Sequence, residues 1–147
     1  MLNFIGIALI ICGFIAPYLR GVQIAQLFFW PGFLILLRPA NPLFKTFTWP
    51  KWARIGVLLN IGVAAFFFIL LGLEYHSLFD KWFIVMNPVG PVINFLFPID
   101  MPVEKIVFGS FRSTILIFLN LLIYIGLAII LGRITDMKSK TIPRHNA

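Results

Sequence analysis

Charge is what this chain has least of: Lys, Arg, Asp and Glu make up 12% of its 147 residues, against 61% hydrophobic. Polar side chain that scarce cannot cover the outside of a water-soluble domain of this length. A bilayer removes the need to cover it. Acids are the scarcest of all, five against twelve bases, for a net charge of +7. The bases sit in the gaps between apolar runs and at the C-terminus, not on one polar face. That placement argues against a nucleic-acid partner and suits anionic lipid headgroups and basic cytoplasmic loops.

Other absences narrow the chemistry. The single cysteine, Cys12, excludes an intramolecular disulfide and any CxxC motif. Lying within an apolar run, it reads as a small buried hydrophobe. With only two histidines, His76 and His145, the second in the tail, bis-histidine haem inside a monomeric bundle is ruled out. The chain has no Gly-rich phosphate loop, HExxH, GxSxG or EF-hand pattern. No cofactor, no metal and no catalytic residue is therefore expected. Met1 to Ile15 holds no Lys or Arg, and no A-x-A-like site follows its long apolar stretch, so it reads as a retained helix rather than a signal peptide.

What is present is apolar sequence in long runs. Two are unbroken by charge, Ile55–Leu73 and Thr114–Gly132. As helices each would cover roughly 28 Å at 1.5 Å per residue, nearly the ~30 Å of a hydrocarbon core. Two further runs fill the N-terminal quarter, separated by Pro17, Arg20 and Gly21, which favour a turn. The second of these carries Pro31-Gly32 near its middle, so it is either a short kinked span or a re-entrant pair of half-helices; a helical hairpin is the preferred reading.

The gaps between runs differ in charge. Arg38 to Arg54 holds three prolines (Pro39, Pro42, Pro50), four bases and no acid, with Trp49 and Trp52 as interfacial aromatics. Residues 74–112 hold Glu74, Asp80, Asp100 and Glu104 against Lys81, Lys105 and Arg112. Within them Trp82–Phe97 is apolar but broken by Asn87-Pro88, Gly90-Pro91 and Asn94, which suits an interfacial or re-entrant segment. The tail, 133–147, is basic, with Asp136 its one acid, and mobile at its end.

These features predict an all-α integral membrane protein. It is a single membrane domain over 1–147, a small bundle of four transmembrane helices (range three to five). The spans lie at about 2–19, 22–37, 54–73 and 113–132, with an outer loop at 74–112. The distribution of Lys and Arg places the 38–54 loop, the tail and both termini in the cytoplasm, in an arrangement that leans toward a bacterial inner membrane. Arg20 is the misfit, since it falls in the outer turn. Three crossings with an outside N-terminus would place it inside, provided that 22–37 is re-entrant. Asn60/Gly72 and Asn120/Gly132 match at an offset of 60, but a parallel repeat opposes the charge bias and the match is treated as chance.

The candidate functional residues are few. Asn60 and Asn120 are the deepest polar residues of the two long runs. Each lies on a small or aromatic face at four-residue spacing, Gly56-Asn60-Ala64 and Asn120-Tyr124-Ala128-Gly132. Such faces let helices approach, and an amide can bond across the contact. With the apolar ends aligned, the two amides would stand about 10 Å apart in depth, so each needs a separate partner. Ala8, Cys12 and Ala16 form a third small-residue stripe, assigned to packing. Glu74, His76 and Asp80 cluster at the outer end of one span, the types that bind a divalent metal or relay protons, although only His76 and Asp80 share a helical face. A hydrated helix end is the plainer reading. Asp100 and Glu104 read as solvated loop acids.

A non-enzymatic accessory, assembly or regulatory membrane subunit fits these observations best, with a membrane-protein partner or a homo-oligomer in the bilayer. An oligomeric transporter or pore lined by Asn60, Asn120 and the Pro31-Gly32 break is the first alternative. A membrane enzyme acting on lipid at the outer face, through Glu74, His76, Asp80, Asp100 or Glu104, is the second.

Overall fold

The computed structural model describes residues 1–20, 24–73 and 104–141. Over these the regular structure is helical: α1 (Leu2–Arg20), α2 (Ile24–Leu36), α3 (Trp49–Gly72) and α4 (Glu104–Thr141), with a 3-10 turn at Pro42–Phe44. Glu74, His76, Asp80 and Asp100, the Trp82–Phe97 segment and the last six residues lie outside the described residues.

The helix ends depart from the apolar boundaries in instructive ways. In α1 the chain stays helical past Pro17 to Arg20, so the turn does not begin at Pro17 as expected. The second run is one helix straight through Pro31 and Gly32, not a pair of half-helices, and the re-entrant alternative is not formed. Proline removes one amide donor but leaves the neighbouring helical bonds, and packing against a partner helix absorbs the loss. At α3 the helix starts at Trp49, ahead of the expected 54, with Lys51 N donating to Thr48 O at 3.3 Å. Pro50 falls in the first turn, where a missing N–H costs nothing, so a proline read as loop is in fact a helix starter. The fourth run marks only the middle of a 38-residue helix, about 57 Å long, that takes in the end of the acidic loop and the first part of the basic tail.

Two helices are long and apolar enough to cross a membrane, over Trp49–Leu70 and Ser113–Met137. The apolar parts of α1 and α2 are shorter, Leu2–Tyr18 and Ile24–Leu36.

The helices associate as two antiparallel pairs. In the first, Gly6 faces Leu36, Gly32 faces Ile10 and Gly13 lies against the Phe29 ring, so numbers rise along α1 as they fall along α2. A Cβ on Gly32 would stand 2.9 Å from Gly6 O, and one on Gly6 3.1 Å from Gly32 O. Two glycines thus let backbone meet backbone. Among the described side chains of α1 the buried positions are Gly6, Gly13 and Pro17. The expected Ala8-Cys12-Ala16 stripe is therefore not the contact face, and Cys12 is exposed rather than buried. In the second pair, a Cβ on Gly56 would meet Tyr124 O at 2.5 Å and Ile125 Cα at 2.7 Å, and Gly132 lies under the Trp52 indole. Because α3 and α4 run in opposite directions, the offset-60 likeness is confirmed as no parallel repeat; Gly132 is packed whereas nothing lies within 4 Å of a Cβ on Gly72.

The pairs meet through Ala25, Phe29, Leu37, Ala53, Val57, Leu121 and Ile125. Phe14, Phe29 and Phe118, from α1, α2 and α4, form an aromatic triad with centroids 4.9–5.5 Å apart in tilted and edge-on arrangements. Such geometry adds about 1 kcal/mol per pair beyond area burial.

Candidate functional site

Polar contacts between helices concentrate at the end where α1 and α3 begin and α2 finishes. Asn41 is the hub. It is fully buried, and both ends of its amide are used. Its Nδ2 donates to Leu36 O at 2.7 Å and to Asn3 Oδ1 at 3.0 Å. Its Oδ1 accepts from Asn3 Nδ2 at 3.3 Å and from Leu43 N at 3.1 Å, which caps the 3-10 turn. One side chain thereby ties the start of α1, the end of α2 and the following turn. Burying an amide stabilises only when it is satisfied in this way. By sequence Asn41 is only one residue of the proline-rich 38–54 loop. The signal was the Asn41-Pro42 pair, a capping residue directly before a proline.

Across the same end, Trp52 Nε1 donates to Asp136 Oδ2 at 3.0 Å, joining the first turns of α3 to α4 beyond its apolar middle. The charges here are lopsided. Arg38, Lys45, Lys51, Arg54 and Arg133 gather at this end, and Asp136 is the acid described among them. Arg38 turns back to donate to Ile35 O at 3.2 Å, and the Lys51 ammonium stands 5.7 Å from the Trp52 ring centroid.

Deeper in the bundle, Asn60 Oδ1 accepts from Trp30 Nε1 at 3.1 Å, the hydrogen bond that links α2 to α3. Asn120 is buried, 4% exposed. The two amides do not stand about 10 Å apart in depth, the separation that alignment of the apolar ends predicts. Asn60 lies four residues beyond Gly56, and Asn120 four residues before Tyr124, so the close Gly56–Tyr124 approach brings both to about the same level. Aligning the apolar ends misplaced α4 by nearly two turns, because its apolar stretch does not register end to end with that of α3. Asn60 nevertheless takes another partner, Trp30.

Glu104 opens α4, and the acids and histidine grouped with it in the sequence are beyond the described residues. Among the described residues no three His, Cys, Asp or Glu side chains come together. An open apolar groove of about 510 Å³ runs along α3, lined by Ile55, Leu58, Leu59, Gly62, Val63 and Phe66. Comparison of the chain with protein-family models, with curated proteins and with solved structures finds no match.

Proposed function

We propose that this chain is a four-span integral membrane protein of the bacterial inner-membrane type, with both termini and the 38–54 loop cytoplasmic, and that it acts by contact as a non-enzymatic accessory or assembly subunit. Membrane embedding is supported by where the apolar surface lies. Only 28% of the most apolar stretch of α3, and the same share of α4, is buried. The core helix of a soluble protein would be mostly covered. Phe4, Leu27, Phe68, Ile69, Ile130 and Leu131 are each more than half exposed, on all four helices. In water such a surface would aggregate; in lipid it is the expected exterior. At about 20 Å, α2 is short for a span, and local thinning of the bilayer absorbs such a mismatch at modest cost.

The observation that carries the contact reading is the use made of the polar side chains. Asn41 with Asn3, Trp30 with Asn60, and Trp52 with Asp136 each join one helix to another. Pro31-Gly32, the other feature offered for a pore, lies within a continuous helix, with Gly32 packed against α1 and Pro31 on the exposed side. Polar groups of the bundle thus serve its assembly, and the outward faces are left for partners. Purification in mild detergent tests this reading: a stoichiometric membrane partner is expected to co-purify. A lone monodisperse species across several detergents overturns it, and solute flux in vesicles that is lost in Asn60→Leu replaces it with transport.

A further inference from the structure

We propose that the face of α3 bearing Lys51, Ile55, Leu58, Gly62 and Phe66 binds one anionic phospholipid, the phosphate at Lys51 and an acyl chain in the groove over Gly62. The inference rests on the membrane reading above and adds a defined ligand to it. These residues recur at spacings of three and four, so they share one face of the helix, with Lys51 one turn before the first groove residue.

The groove has the dimensions of a lipid chain in one leaflet. From Ile55 to Phe66 it runs roughly 16 Å along the helix axis, about half of a ~30 Å hydrocarbon core. It is open along its length, with a volume of about 510 Å³. Gly62 makes the notch. Whereas Gly6, Gly32 and Gly56 are pressed against neighbouring backbone, a Cβ on Gly62, as on Gly72 and Gly126, would meet nothing within 4 Å among the described residues.

Charge selects the headgroup. The groove opens at the end where Lys45, Lys51, Arg54 and Arg133 gather and where the Asp136 carboxylate already accepts from the Trp52 indole. A phosphate diester supplies the missing negative charge, and a lysine ammonium is a compact partner for it. The Trp52 ring beside the Lys51 ammonium holds that charge at headgroup depth, as interfacial aromatics and long basic side chains do. A zwitterionic lipid would fill the groove equally but gain less at Lys51.

Native mass spectrometry of the full chain in neutral detergent tests the site. The protein is offered an equimolar mixture of phosphatidylglycerol and phosphatidylcholine with matched chains. The expected result is one retained lipid per chain, with phosphatidylglycerol favoured about fivefold, the discrimination of roughly 1 kcal/mol that one basic residue gives near a membrane surface. Lys51→Gln should bring the two lipids to parity, and Lys45→Gln should leave the preference intact. Gly62→Leu, which fills the notch without striking backbone, should reduce retention of both; Phe66→Ala, which opens the groove, should loosen both as well. Equal retention by the wild type, an unchanged preference in Lys51→Gln, or a dimer in place of the lipid-bound monomer overturns the proposal. Any of these in a chain that still requires detergent leaves the membrane reading standing, whereas a chain monodisperse without detergent removes both.

Discussion

The α1–α2 hairpin and the α3–α4 pair bring helices together by different means. In the hairpin the approach is reciprocal: Gly6 and Gly32 each rest on the other's carbonyl, and Asn41 locks one end through four hydrogen bonds. In the second pair one glycine, Gly56, meets the backbone of α4, and a large ring, Trp52, covers Gly132 and reaches Asp136. The first pair is stitched by small residues and a buried amide, the second by a single notch and an aromatic clamp. On the membrane reading proposed above, where no water drives helices together, the comparison teaches that close approach and satisfied polar groups decide which helices pair. The aromatic triad and the Trp30–Asn60 bond then join pair to pair.

Substitutions can break this contrast, beginning with the second pair. Gly56→Leu should cost about 3 kcal/mol, since overpacking against backbone cannot be relieved by turning a side chain. Unfolding in mixed micelles should show a large loss, with cross-linking between α3 and α4 abolished and that between α1 and α2 retained. If both pairs separate together, they form one cooperative unit and the contrast is wrong. Asn41→Ala should cost about 2 kcal/mol, because Asn3 and the Leu36 carbonyl lose a buried partner. The same assay should show the effect confined to the hairpin end, with reduced protection of amides near Leu43. Asn60→Leu should cost only about 1 kcal/mol, the size of one hydrogen bond between membrane helices, and Trp30→Phe should match it. Adding the two together should do no more than either alone. The smallest effect is expected at Gly126, where a Cβ meets nothing within 4 Å among the described residues. Gly126→Ala should raise stability by about 0.5 kcal/mol through helix propensity, so any large loss there would mean an unrecognised contact.

The positions of the helices are legible because long uncharged runs mark where apolar helices form. Their ends are not, since hydropathy marks where a helix is greasy and not where its hydrogen bonds stop. Pro50 shows this at the start of α3 and Pro17 near the end of α1: by sequence one belongs to a loop and the other to a turn, yet one sits in a first turn and the other within a packed helix. Gly56 was rightly placed on a contact face. The Ala8-Cys12-Ala16 stripe was not, because alanine spacing alone does not choose between faces and the hairpin needed the smaller Gly6 and Gly13. Register was hidden for the same reason. It is set by the one point where Gly56 admits the α4 backbone, which no alignment of apolar ends would locate. Asn41 escaped notice because it lies in a loop by sequence and becomes buried only when α1 returns beside it.

The central claim is that the outward apolar faces of α3 and α4 lie in lipid. Washing membranes from expressing cells with alkaline carbonate and then urea tests it most directly. The account predicts that the chain stays in the membrane pellet through both washes and is released only by detergent. Recovery of a monodisperse chain in the detergent-free wash would contradict it.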